Sequence, residues 1–357
     1  MKPTMKDIAD IHGVSINAVS LALNNKPGVS EEMRLKILRT ADELGYLDEK
    51  EKFLRTYEKT NLCVMMQKRY SKDMNFYGII LYAVVEEAKR NGYDVSMNFF
   101  DDDEMEVPKM IVERRGSGII VIGKISDGNI DTLQKYKIPM VLADHASLIK
   151  NIDSILTDNR LGGFIVVKYL LQKGFKKIGF FGELSYSLSI KERFWGYQEA
   201  LKALGPEELK AHLGEYVDRY SIFEGIESAV LNNYNRQIVE LVKSKEHLPE
   251  VFVCSNDKAA LALMMALQVL GYKIPEDISI VGFDNIDMCE KIRPKLTTVN
   301  VNKEIMGKRV VQRLIYRLNH MDALSENTVI GVNLVERETV KLAGSSRLFD
   351  EKMEMGK

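Results

Sequence analysis

From Asn61 onward the chain alternates short apolar runs with segments of helical periodicity, and this alternation constrains the fold more than any other feature. Strand-like runs fall at 62–66, 95–100, 118–122, 140–143, 177–181, 251–254 and 278–283. Amphipathic stretches at 77–91, 161–173, 259–270 and 305–319 separate many of them. Strands alternating with helices at this spacing imply βαβ units and a parallel sheet covered on both faces. About 280 residues of such pattern exceed what one core comfortably holds, so two α/β lobes are expected.

The first 60 residues carry no such runs. Thr4 followed by Asp7 is an N-cap signal. It opens a helix with Ile8, Ala9 and Ile11 as its apolar stripe, stopping near Gly13. Ser15 then caps a second helix over 16–23, with Val19, Ala22 and Leu23 turned inward. A third begins after Ser30 and ends before Gly45, its core face being Met33, Ile37, Ala41 and Leu44. Two short helices joined by a tight turn at Gly13-Val14 form a helix-turn-helix, a common reader of the DNA major groove. Ile16, Asn17, Ser20 and Leu21 lie on the outer face of the second helix. Asparagine can pair bidentately with adenine and aliphatic side chains can touch a thymine methyl, but the face has no arginine for strong guanine readout.

Several function classes lack support. No apolar run approaches the roughly 18 residues of a membrane helix, and the N-terminal MKPTMKDIAD lacks a secretory apolar core. Cys63, Cys254 and Cys289 are scattered, which points to a reducing cytosol and against a zinc or disulfide framework. Gly116-Ser117-Gly118 precedes a strand, so it is not a dinucleotide fingerprint. Neither a Walker lysine, a G-x-S-x-G elbow nor an HExxH motif occurs. The expectation is therefore no enzyme, no metal and no cofactor. Trp195 and the 17 methionines, Met264 and Met265 among them, are expected to pack in the core.

Several ordered motifs carry a more specific signal. They are T-x-K-D-I-A from Thr4, G-V-S at the turn, V-S-x-A-L-N from Val19, V-S-E-E-x-R from Val29 and L-G-Y ending at Tyr46. Farther on come T-D-N at 157–159, R-x-x-G-Y at 193–197, S-N-D at 255–257, I-P-E-D-I-S-I-V-G-F-D-N at 274–285 and L-T-T-V at 296–299. In this order and frame the chain resembles the LacI/GalR family of bacterial transcription repressors. The resemblance implies an α/β two-lobed periplasmic-binding-protein-like core behind an N-terminal all-α helix-turn-helix headpiece. It implies these parts: headpiece 1–46, hinge 47–60, core 61–342 and a polar tail 343–357. Within the core, 61–160 plus 291–324 would form one lobe and 161–290 plus 325–342 the other.

By that resemblance Ile16, Asn17 and Leu21 read bases, while Thr4, Ser15, Ser20 and Asn24 contact phosphates or base edges. In the family the hinge wedges a leucine into the minor groove, where an apolar insertion unstacks bases in exchange for a wider interface. Here the hinge reads D-E-K-E-K-F-L-R over 48–55. Arg55 aligns with the wedge, and Leu54 or Phe53 could serve with a shift. Effector contacts are expected at Arg193, Asn256 and Asp284, with Phe76, Tyr77, Lys124, Asp144, Ser189 and Tyr220 around them. Asp257 is expected to cap a helix. The implied partners are double-stranded operator DNA, a second copy in a homodimer and a small-molecule effector, a sugar being favoured by the hydroxyls, amides, acids and aromatics; no membrane partner is expected. A cytoplasmic location follows. Charge is informative only locally: the chain has 50 Lys and Arg against 51 Asp and Glu. Residues 1–40 hold six basic and four acidic side chains, so each phosphate contact counts and binding should weaken steeply with salt.

Overall fold

The computed structural model describes residues 3–24, 26, 28–46, 61–113, 115–232 and 235–342. Three helices form the headpiece: α1 (Met5–His12), α2 (Ile16–Leu23) and α3 (Glu31–Glu43). Thr4 and Asp7 form a reciprocal capping box, with Thr4 N donating to Asp7 Oδ2 at 2.7 Å and Asp7 N to Thr4 Oγ1 at 3.4 Å. Gly13 ends α1 at φ 61°, a left-handed conformation that glycine adopts without a Cβ penalty. Ser15 Oγ then accepts from Ala18 N at 3.1 Å and starts α2. Ile8, Ala9, Val19, Ala22, Ile37 and Ala41 are buried together, with Leu23 and Met33 packed against them. Leu44, expected inward, is exposed because α3 stops at Glu43 and Tyr46 folds back onto this core instead. Leu54, Arg55 and the rest of the hinge at 47–60, like the tail at 343–357, lie outside the described residues.

The core contains two sheets. The first has six parallel strands in the order β10-β5-β4-β3-β1-β2: β1 (Asn61–Gln67), β2 (Asp94–Phe100), β3 (Gly118–Ile122), β4 (Met140–Ala143), β5 (Asp153–Thr157) and β10 (Asn327–Ile330). The second runs β11-β9-β8-β7-β6 with only β11 antiparallel: β6 (Ile178–Phe181), β7 (Val251–Cys254), β8 (Ser279–Asp284), β9 (Thr297–Asn300) and β11 (Asn333–Val335). β3, β4, β6 and β7 are buried along their whole length, as strands covered by helices on both faces must be.

The expected lobe boundaries need correction. β9 lies within 291–324 yet pairs with β8 in the second sheet, and β10 lies within 325–342 yet pairs with β5 in the first. The chain therefore crosses between lobes after Thr157, between Asn300 and Lys303, and between Ile330 and Asn333. Strands of three or four residues carry too little pattern to declare their sheet; only the long-range pairings Val281↔Thr297 and Asn327↔Ser154 do. Trp195 also departs from expectation. It is exposed on its helix because Phe194, Gly196 and Tyr197 supply the buried face. Met264 is buried, but its neighbour Met265 points outward.

Candidate functional site: the interlobe cleft

Parallel strands place their carboxyl ends together, and the loops leaving those ends in the two lobes enclose a cleft of about 500 Å³. One wall depends on a close helix crossing. Helices α4 (Asn159–Gln172) and α5 (Leu188–Leu204) touch backbone to backbone. A Cβ on Gly196 would lie 1.9 Å from Arg160 O, and one on Gly163 would lie 2.0 Å from Arg193 O. Glycine is required at both positions. Tyr197 anchors the same turn, its hydroxyl donating to Ile178 O at 2.8 Å. The R-x-x-G-Y motif thus divides its work: arginine faces the cleft, glycine permits the crossing and tyrosine ties the helix to β6.

Arg193 is 5% exposed. Its Nε donates to Asn159 Oδ1 at 2.9 Å, its Nη1 to Ser255 O at 2.5 Å, and its Nη2 lies 3.2 Å from Asp284 Oδ1. The guanidinium stacks 3.8 Å from the Phe283 ring centroid. Asp284 leaves β8 at φ 113° and Asn285 follows at φ 53°, conformations strained for side-chain-bearing residues and common at ligand sites. Lys303 Nζ steadies this turn by donating to Asp284 O, Asn285 O and Val301 O. Burial lifts the Asp284 carboxyl to about 8, although Arg193 opposes the shift. Asp144, at φ 58° after β4, accepts from the Tyr77 hydroxyl at 3.0 Å. Burial lifts it to about 6 against the pull of Arg193 and that hydroxyl.

Of the expected effector contacts, Phe76, Tyr77, Lys124, Asp144, Ser189, Arg193, Asn256 and Asp284 all line the cleft. Tyr220 does not. It ends the helix Leu213–Tyr220, its ring against Tyr216 at 5.0 Å, and the chain after it runs beside β6, where Ser221 Oγ accepts from Phe180 N. The capping assignment also changes. Asn256 caps the helix Asp257–Val269 by accepting from Ala259 N at 2.8 Å. Asp257 is wholly buried and accepts from Ile286 N, Cys289 Sγ and Thr298 Oγ1. It ties β9 to the loop and short helix that follow β8.

Sequence reasoning missed several lining residues. Glu227 is buried beneath the cleft and accepts from Ser255 Oγ at 2.8 Å and Asn256 Nδ2 at 3.2 Å. Burial raises its pKa, with both of those hydrogen bonds opposing. Nothing local marks a glutamate in I-E-S-A as inward. Asn159 was legible as the last residue of T-D-N; its Nδ2 donates to Glu192 Oε2 at 2.9 Å. Arg69, Tyr70 and Asp73 come from the 3-10 turn Lys68–Lys72 and the residue after it, and Tyr186 and Lys258 face them from the other lobe.

On the headpiece, Ile16 and Asn17 are exposed and Ser20 and Leu21 half-buried, while Val19 and Ala22 are buried. Thr4 and Ser15 spend their hydroxyls as caps, and Asn24 Nδ2 donates to Ser20 O at 2.9 Å. Arg34 is 2% exposed and was not singled out. Its guanidinium donates to Leu21 O, Ala22 O and Lys26 O, closing the carbonyl end of α2, where orphan acceptors and the helix dipole favour a cation. Among the described residues no helix is long and apolar enough to cross a membrane, and no group of three metal-ligating side chains is arranged to hold an ion.

Two family models match this chain: "Bacterial regulatory proteins, lacI family" over residues 4–48 and "Periplasmic binding protein-like domain" over 167–340. The chain belongs to the lacI family. A relative from Vibrio atlanticus, called HTH-type transcriptional repressor PurR, is 29% identical over 344 residues, covering 95% of this chain and 98% of the relative. A lac repressor dimer bound to operator and the anti-inducer ONPF superposes with a TM-score of 0.64 at 23% identity, over 95% of this chain and 99% of the other. A regulator from Alkaliphilus metalliredigens complexed with D-xylulofuranose has a TM-score of 0.61 at 25% identity, over 79% and 99%. This lacI-family protein is a DNA-binding transcriptional regulator with a ligand-binding core, and its homologues are regulators rather than enzymes.

Proposed function

We propose that the protein is a cytoplasmic repressor whose homodimer binds pseudo-palindromic operator DNA and whose operator affinity is set by a carbohydrate held between its lobes. The observation that carries this reading is that one chain joins a fully capped helix-turn-helix to a two-lobed cleft built of hydroxyl, amide, carboxyl and aromatic side chains. On α2 the buried Val19 and Ala22 force Ile16 and Asn17 to the opposite, open face, which is where a recognition helix meets base edges. Ser20, Leu21 and Asn24 flank them, and Thr4 and Ser15 offer their ends of the helices to phosphates. In the cleft, Arg193, Asn256 and Asp284 would meet the ligand from one lobe and Phe76, Tyr77, Lys124 and Asp144 from the other, so occupancy changes how the lobes sit together. A ligand shifts such an equilibrium only by its differential affinity for the two states, a coupling of about 1–3 kcal/mol. The Alkaliphilus regulator, solved with a five-carbon sugar, supports the ligand class.

The test is selection of preferred sequences from a random duplex pool by the full chain and by Asn17→Ala. Asn17→Ala should relax preference at one half-site position, by about 1–3 kcal/mol, while retaining salt-sensitive binding to arbitrary DNA. An equal loss on every sequence would remove Asn17 from base readout, and no enrichment by the parent chain would overturn the operator reading.

A further inference from the structure

The charged groups of the cleft are unequally satisfied. Most of its acids already have a donor: Asp127 receives Ser147 Oγ, Asp144 the Tyr77 hydroxyl, Glu192 Asn159 and Glu227 both Ser255 and Asn256, while Asp284 Oδ1 makes no hydrogen bond but lies 3.2 Å from Arg193 Nη2. Asp73 pairs with Lys258 of the other lobe at 3.0 Å. Three cations of the same lining, Arg69, Lys124 and Lys191, have no carboxylate within ion-pair distance among the described residues. Arg69 is the telling one. It is half-buried, its guanidinium lies 4.7 Å from the Tyr70 centroid and 5.3 Å from that of Tyr186, and its Nη2 donates to the Tyr70 hydroxyl at 2.7 Å. Its Nε is buried without an acceptor. Two rings and a phenol do not neutralise a guanidinium, and a half-buried charge whose Nε is enclosed without an acceptor is costly to leave unpartnered.

We propose that the effector carries an anionic oxygen group, a phosphate or a carboxylate, and that Arg69 receives it, with Lys124 on the same lobe completing the subsite. The proposal rests on the carbohydrate reading above and narrows it to sugar phosphates or sugar acids. The position is consistent: the 3-10 turn bearing Arg69 and the loop after β3 bearing Lys124 meet at Tyr70, whose hydroxyl accepts from Arg69 Nη2 and from the Lys124 backbone, and Lys124 also lines the cleft. Guanidinium suits either group because its planar fork presents paired donors to two oxygens. Tyr186 approaches Arg69 from the second lobe, so an anion seated there would be read at the edge where the lobes meet. Of the deep acids behind it, Asp284 does not repel such a ligand strongly, since burial lifts its carboxyl to about 8.

The experiment is a thermal-shift screen followed by calorimetric titration of the full chain. It uses matched series: ribose, glucose and fructose, their terminal phosphates, their carboxylate oxidation products, and inorganic phosphate alone. The expected result is binding of an anionic member at least tenfold tighter than its neutral parent. Arg69→Gln should erase that preference by about tenfold to a hundredfold while leaving any neutral sugar unchanged, and Arg69→Lys should restore part of it. The phosphate and carboxylate series separate the two sources of the anion. Neutral sugars binding as well as their anionic partners would overturn the proposal and leave the carbohydrate reading intact. No shift with any sugar of either kind would overturn both. Anion preference that survives Arg69→Gln in a folded variant would refute the assignment to this residue.

Discussion

Gly196→Ala tests how the fold positions the cleft. The new Cβ would stand 1.9 Å from Arg160 O and 2.9 Å from Phe164 N, where no real Cβ approaches within 3.0 Å. Backbone atoms cannot swing aside as a side-chain tip can, so the two crossing helices must separate by at least about 1 Å. That movement carries Arg193 away from Asn159, stretching a 2.9 Å hydrogen bond past its useful length. Overpacking costs about 1–3 kcal/mol, and one hydrogen bond from a charged group about 1.5–3 kcal/mol, together about 2.5–6 kcal/mol. In a unit of this size each kcal/mol shifts the midpoint by about 2–4 °C, so the core should melt roughly 10 °C lower. Thermal unfolding followed by circular dichroism measures it, with ligand titration alongside. Gly214→Ala is the control: it lies in a helix with nothing within 4 Å of the added carbon, and should be neutral or gain about 0.5–1 kcal/mol. If Gly196→Ala melts with the parent, the backbone-to-backbone crossing is wrong. A low midpoint with undiminished ligand affinity would break the link from crossing to Arg193.

Two further predictions concern buried charge. Because the folded Asp284 titrates near 8, above the roughly 3.9 of an unfolded aspartate, the folded state holds a proton the unfolded chain has released. Its contribution is complete below about pH 4 and is lost as pH rises toward 8; Asp144, near 6, adds to the early part of that fall. Urea midpoints measured from pH 5 to 8 should therefore decline less in Asp284→Asn than in the parent, and parallel curves would refute the shift. In the headpiece, Arg34→Met should destabilise the three-helix unit by roughly 2–3 kcal/mol, since it strips a charged donor from three carbonyls. Amide exchange slowed equally in α2 and α3 of both proteins would show that Arg34 does not hold them.

How far the chain could be read before folding follows from the range of each interaction. The caps at Thr4 and Ser15, the glycine that ends α1 and the strands at 118–122, 140–143 and 251–254 involve residues within a few positions of one another, so their chemistry is written locally. The cleft acid Asp284 and the R-x-x-G-Y turn were legible for a related reason, as motifs at strand and helix ends. The sheet membership of β9 and β10 was not, because a four-residue strand takes its place from distant partners and not from its own pattern. Asn256 rather than Asp257 caps its helix because Asp257 is drawn inward by Thr298, Cys289 and Ile286, residues 29 to 41 positions away. Glu227, Arg34 and Arg69 read as ordinary surface charges along the chain. Sequence alone determined the three headpiece helices, seven of the eleven strands among the described residues and the family they compose. Tertiary structure alone decided which charges were enclosed and what neutralises them, since burial and counter-charge belong to groups that meet only when the chain is folded.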